Sequence, residues 1–324
     1  MGKGAPIRLL LVVFVCWAAQ TVCGETTLRV GYFPNLTHAH ALIAQNMAAE
    51  GNGWFERHMP GTRIEWVSFN AGPSAMESVF AGAVDLTYVG PNPILNAFIR
   101  SQGGVRVLSG AVRGGAGLVV PKGSGLSAPG DFAGKSIATP QLGNTQDIAC
   151  RYWLIEAGLK VTMTGGDVTV IPSANPSLLP LFSRRQVDAV WTVEPWLSRL
   201  EMEADGELIY SEAPETSVTT VLAGSAGFIA KHPDAAAGFA RAHRALTDWI
   251  RDNPEEAGKR VAAELSRQMR REFPLDLVVH AWPRLVFDNA IGTGEFAHSL
   301  RAARTAGFIK GEADGDLSGL VAAE

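Results

Sequence analysis

The sequence predicts an α/β fold in two similar lobes joined by crossing strands, on three observations. Short β-like runs alternate with helical stretches from Leu28 to about Tyr210, the pattern of parallel α/β architecture. One segment recurs: Val84–Asp85–Leu86–Thr87–Tyr88–Val89–Gly90–Pro91 ends a helix, runs as a strand and turns at proline, and Val187–Asp188–Ala189–Val190–Trp191–Thr192–Val193–Glu194–Pro195 does the same. The glycine-rich join between Gly114 and Gly125 contains Leu118–Val119–Val120. That suits a strand crossing between lobes, where a few residues absorb a hinge rotation.

The first residues set the compartment. Lys3 and Arg8 form a basic start, and Leu9 to Ala19 is an apolar run, too short for the roughly 20 residues of a bilayer span. Val22–Cys23–Gly24 places modest side chains where a signal peptidase cuts. Residues 1–24 are therefore expected to be a secretory signal, cleaved between Gly24 and Glu25, with export to a periplasm. A lipid-modified cysteine wants a small residue before it, and Cys23 follows Val22, so a lipid anchor is disfavoured. No later segment is apolar enough for a membrane span. Loss of Lys3 and Arg8 moves the formal charge from −4 to −6, and an acidic chain offers no basic face to nucleic acid. Cys150 alone remains, so no internal disulfide forms and packing must supply the stability.

In the first half the expected strands are Leu28–Phe33, Arg63–Phe69, Asp85–Val89 and Val105–Ser109, with helices at His38–Glu50, Ser74–Ala81 and Ile94–Ser101. In the second half strands are expected at Ser136–Thr139, Val168–Ile171, Asp188–Val193 and Leu208–Tyr210, and helices at Thr145–Glu156, Ser177–Arg185 and Trp196–Glu203. Thr219–Ala223 and Gly227–Ala230 read as one glycine-broken strand returning to the first lobe. Helices follow at Pro233–Arg251, with proline in a favourable first turn, at Pro254–Leu265 and at Glu295–Ala306, where apolar residues recur at helical spacing.

Ligands of open α/β sheets bind beyond the carboxyl ends of the strands. The loops there are Pro34–His38, Asn70–Ser74, Gly90–Pro93, Gln141–Thr145, Ser173–Pro176 and Thr192–Trp196, rich in Asn, Thr, Ser, Gly and Pro and poor in Lys and Arg. Asn35 or Thr37 can cap the next helix, and Ser74 with Glu77 fits a capping box. Capping is what any α/β protein needs. Helix-start amides can also hold an anion without a buried cation. Glu194, between Trp191 and Trp196, either receives a ligand amine or makes an interlobe salt bridge. The indoles either cover the ligand's apolar part, lie over a cation or serve as core aromatics. His38 and His40 are two apart and face different directions, against a metal pair. Arg113 can meet an anion or stand solvated at the hinge. No Gly-x-Ser-x-Gly elbow or Ser/His/Asp signature is present, no cofactor is expected, and the chain reads as a binder without turnover.

These residues resemble the substrate-binding proteins of nitrate, taurine and aliphatic-sulfonate ABC importers. The resemblance is carried by Arg29–His38, Phe69–Ser74, Thr87–Pro93, Ala138–Asp147 and Trp191–Trp196, and extends over the mature chain. It implies a type II periplasmic binding protein fold: residues 25–113 with 221–324 as one lobe, and 114–220 as the other. It further implies a monomer that closes on a small sulfonate- or taurine-like ligand and delivers it to an ABC permease with its cytoplasmic ATPase. Carried over by position, Asn35, Thr37, His38, Gly72, Ser74, Asn92, Gln141, Asn144, Thr145, Trp191, Glu194 and Trp196 line the cleft. Many family members have Asp before proline where this chain has Glu194. The longer acid, without a clear cleft lysine, points away from nitrate and bicarbonate. Related folds bind thiamine-precursor or riboflavin-type heteroaromatics, so stacking on Trp191 or Trp196 is the alternative, and a periplasmic sensor is another. A related pyrimidine synthase needs a cysteine-rich motif that this chain lacks.

Overall fold

The computed structural model describes Met1, residues 26–310 and residues 316–322; the expected signal segment lies outside the described residues. In chain order the first half has β1 (Thr26–Tyr32), α1 (Ala39–Ala49), α2 (Trp54–His58), β2 (Thr62–Ser68), α3 (Gly72–Phe80), β3 (Leu86–Val89), α4 (Pro91–Arg100) and β4 (Val105–Gly114). Next come β5 (Ala116–Pro121), β6 (Ser136–Thr139), α5 (Thr145–Glu156), β7 (Val161–Thr162), β8 (Val168–Pro172), α6 (Asn175–Ser183), β9 (Ala189–Val193), α7 (Trp196–Glu203) and β10 (Gly206–Ser211). The chain returns through β11 (Val218–Ser225), α8 (Ala226–Lys231), α9 (Pro233–Asp252), α10 (Pro254–Met269), α11 (Leu275–Ala281), β12 (Leu285–Phe287) and α12 (Ala297–Thr305).

Two mixed six-stranded sheets result, in the orders β12-β4-β11-β3-β1-β2 and β10-β5-β9-β6-β8-β7. Each has a parallel block, β2-β1-β3 in one and β7-β8-β6-β9 in the other, and an antiparallel strand, β11 or β5, laid on its edge. The chain crosses between sheets twice, from β4 to β5 and from β10 to β11. At the first crossing Gly114 and Gly115 both take φ of +68, a conformation glycine adopts without steric cost. Space favours glycine there too: a Cβ on Gly114 would lie 2.7 Å from the Arg284 carbonyl oxygen.

The strands are apolar because both faces of each sheet are covered. Leu28, Val30 and Tyr32 pack on one face of the first sheet against Leu42, Phe239 and Leu277, while Val89, Ile94 and Leu300 fill the other. In the second sheet Trp191 and Leu154 lie on one side and Val190 and Phe182 on the other.

Departures from the sequence reading are local. Gly227–Ala230 is helical, inside α8, because the Ser225 hydroxyl accepts the Phe228 amide at 3.1 Å and caps a new helix. β4 continues past Ser109 to Gly114, where it pairs with β11 and β12. The short elements α2, α11, β7 and β12 were not expected; each is too brief to carry a period of its own.

Candidate functional site

At the carboxyl ends of the parallel strands the two sheets face each other across a cavity of about 20 Å³, above the roughly 10–15 Å³ that a water needs. The first residues of four helices reach it: Ala71 and Gly72 at α3, Gly90 and Pro93 at α4, Asn144, Thr145 and Gln146 at α5, and Asn175 at α6. Phe33, Asn35, Thr37, His38, Asn70, Pro140, Val193 and Thr219 complete the lining.

Among the described residues no Lys, Arg, Asp or Glu lines this cavity. The one titratable group is His38, whose pKa burial lowers to about 3, so the ring is neutral. Its Nδ1 accepts the Phe33 amide at 3.3 Å, which leaves the proton on Nε2 as a donor. Thr145 Oγ1 is buried with no partner. The Thr145 and Gln146 amides open α5 and have no carbonyl to bond within their helix. The next amide is satisfied: Asn144 Oδ1 accepts from Asp147 N at 2.8 Å. Asp147 sits behind this turn, accepting from Thr139 Oγ1 at 2.8 Å and paired with Arg151 at 3.0 Å. Its charge is therefore compensated away from the cavity. What remains is a neutral shell of donors with the positive ends of helices aimed inward, which suits an anion.

The sheets approach closely around this shell. A Cβ on Gly90 would stand 2.3 Å from Thr145 Oγ1 on the opposite side. Hydrogen bonds beside it tie the halves together, among them Leu36 N to Glu194 O at 3.0 Å, Trp196 Nε1 to Asn35 Oδ1 at 3.0 Å, Asn70 Nδ2 to Pro140 O at 3.2 Å and Asn175 N to Asn70 Oδ1 at 3.1 Å.

Of the residues expected from sequence, Asn35, Thr37, His38, Gly72, Asn144 and Thr145 line the cavity; the other six lie elsewhere. Glu194 is fully buried and turned away. Its Oε1 accepts from Ser198 Oγ at 2.9 Å and Arg284 Nη1 at 2.8 Å, and its Oε2 accepts the Ser198 amide at 3.1 Å. Burial pushes its carboxyl up while Arg284 pulls it down. Between amine acceptor and interlobe salt bridge, the geometry is the salt bridge. Trp191 lies in the core and donates to Glu212 Oε1 at 2.9 Å, and Trp196 spends its N–H on Asn35, so neither indole faces the cavity. Asn92 turns to α12, donating to Ser299 O at 2.9 Å. Gln141 lies beside the cavity with Oε1 buried and unpartnered.

The Ser74 capping box does not form. Pro73 fits the first turn, so α3 starts at Gly72 and Ser74 Oγ donates to Ala71 O at 2.9 Å instead of accepting an amide. Asn35 and Thr37 make no side-chain cap either. Arg113 pairs with Asp288 at 3.0 Å and with Glu295. His40 points into the core, with Nε2 2.8 Å from Thr247 Oγ1. No group of residues fit to hold a metal occurs among the described residues.

Asn70, Gln146, Asn175 and Thr219 line the cavity but were not singled out. Asn70 and Asn175 sat in quoted strand-end loops, where their side chains could have been weighed as donors. Thr219 has no local signal, because only the second crossing brings it there.

Comparison with known proteins agrees with this architecture. The taurine-binding periplasmic protein of Escherichia coli (strain K12) is 24% identical over 241 residues, 72% of this chain and 68% of that one. The alkanesulfonate-binding protein SsuA from Xanthomonas axonopodis pv. citri, bound to MOPS, superposes with a TM-score of 0.73 at 19% identity, covering 89% of this chain and 96% of that one. The nitrate-binding protein NrtA from Synechocystis gives a TM-score of 0.72 at 14% identity, covering 90% and 84%. The fold is that of periplasmic binding proteins. Residues 23–266 match the NMT1-like family, and with most of its length inside that match the chain belongs to the NMT1-like family.

Proposed function

We propose that this protein is a periplasmic solute-binding protein of an ABC importer, capturing a small sulfonate-type anion between its two lobes and passing it to the permease. One observation carries the reading: a cavity between the sheets lined only by neutral groups, with helix starts and the unpartnered Thr145 hydroxyl directed into it. Such a shell compensates one negative charge through N–H and O–H dipoles. The relatives are named for taurine, alkanesulfonates and nitrate, each of which carries a small oxyanion group.

Export through residues 1–24, a monomeric state, and a permease with its ATPase as partner belong to the same proposal. Glu194 is already neutralised by Arg284, so a ligand ammonium gains nothing there. Taurine should bind no more tightly than ethanesulfonate. Titration calorimetry with ethanesulfonate, taurine and nitrate tests this. Thr145→Val keeps the shape and removes the hydroxyl, and should weaken ethanesulfonate by about tenfold, the size of one hydrogen bond to a charged group. Failure of all three anions to bind, or a Thr145→Val variant equal to wild type, sinks the proposal.

A further inference from the structure

We propose that this protein has a second binding site, for a small organic ammonium ion, in an aromatic chamber that shares Thr145 with the anion cleft. The chamber has a volume of about 350 Å³ and is walled by Tyr152, Trp153, Trp191 and Tyr210 around Glu212. Trp191 and Tyr210 lie 5.1 Å apart by ring centroids, and Trp153 lies 5.7 Å from Trp191. Their partial exposure at Trp153, Tyr152 and Tyr210 leaves the chamber open to solvent.

The decisive group is Glu212. Five carboxylates are buried among the described residues: Asp85, Asp147, Glu194, Glu212 and Glu264. Four of them hold an arginine, as Asp85–Arg29, Asp147–Arg151, Glu194–Arg284 and Glu264–Arg267. Glu212 holds none. Its oxygens accept from Trp191 Nε1 and from Ser217 Oγ, and the one basic group that acts on it is His298 at the rim. Burial raises its carboxyl above the ordinary range, and the two hydrogen bonds pull it back. A buried carboxylate without a cation is costly. A cation brought in by a ligand offsets that cost, and the electron-rich faces of Trp and Tyr favour the same charge.

A second feature points the same way. Thr145 Oγ1 is buried, has no partner and stands at the boundary of both chambers. The walls come from both sheets: α5, β9 and β10 on one side, and His298 and Ser299 of α12 on the other. A guest there bridges the lobes beside the second crossing.

Tetramethylammonium and choline titrated into the purified protein at pH 8, followed by tryptophan fluorescence and calorimetry, test the proposal. Saturable binding is expected, weakened about tenfold or more by Glu212→Gln, which removes the charge and keeps an acceptor for Trp191. Tyr210→Leu, at the exposed edge, should weaken it about threefold while preserving apolar bulk. Ethanesulfonate affinity, measured on the same preparations, should stay unchanged in both variants, so loss of the cation site is read separately from loss of the cleft. No saturable response in wild type overturns the proposal. So does equal affinity in wild type and Glu212→Gln, or equal binding of the neutral carbon isostere of choline.

Discussion

Glu194 and Glu212 belong to the same half of the molecule and are both withdrawn from water. Glu194 is bound by Arg284, which also bonds Glu201 at 2.7 Å, so three charged groups close one seam between the lobes. Glu212 has two neutral donors and aromatic neighbours. The same residue type, similarly buried, has a completed ion pair in one place and an uncompensated charge in the other. Burial alone therefore does not say what a carboxylate does; the presence of a built-in counter-ion does. A paired acid is a fastening between lobes. An unpaired one keeps a place for something from outside.

The largest effect expected from this contrast is at Arg284. Arg284→Met strands Glu194 as a buried charge and should lower stability by about 3 kcal/mol, read as a fall in thermal midpoint. The double variant Glu194→Gln/Arg284→Met should regain most of it. A single variant as stable as wild type would break the comparison.

Acid supplies the next test, because three buried histidines lie in the other half. The pKa of His38 is lowered to about 3, that of His243 to about 4, and that of His40 well below its ordinary value, each mainly by burial. Unfolded, each titrates near 6.5, so below that pH the unfolded chain binds the extra protons. Their contribution is therefore intact above about pH 6.5 and is lost as pH falls toward 4, on the order of 2 kcal/mol per histidine by pH 5. Denaturant melts at pH 7.5 and 5 read it. The raised carboxyls of Glu194 and Glu212 work in the opposite sense above their ordinary range, so the same melts are run on a Glu194→Gln/Glu212→Gln background, where a stability flat between these two values would contradict the histidine assignment.

The smallest effect is at Glu212 itself. Glu212→Gln removes a charge that has no arginine or lysine partner and should leave the stability within about 1 kcal/mol of wild type, or slightly higher. A loss as large as that of Arg284→Met would mean that Glu212 is a structural member like Glu194.

Much of this was legible in the residues, for reasons that also mark where legibility stops. Helix α5 could be read from a polar turn followed by helical spacing, and the six expected residues that line the cavity are all in strand-end turns, where sequence position dictates location. Glu194 and Trp196 sit in or beside such a turn too, with Trp191 just before it in β9, yet successive side chains there point to different sides. Val193 faces the cavity while Glu194 meets Arg284, 90 positions along the chain. Nothing local in either segment announces that pairing. Ser74 failed on competition, since Pro73 makes the helix begin earlier and turns an acceptor into a donor.

The shared threonine has one further consequence. A hydroxyl has a single proton. When Thr145 gives it to an oxyanion in the cleft, its lone pairs are left to turn toward the aromatic chamber, as a local negative end for a cation. With both proposed guests bound, each would orient the rotor for the other, and by reciprocity any help would be mutual. A lobe interface that carries one such rotor can make uptake of a salt more favourable than uptake of either ion alone.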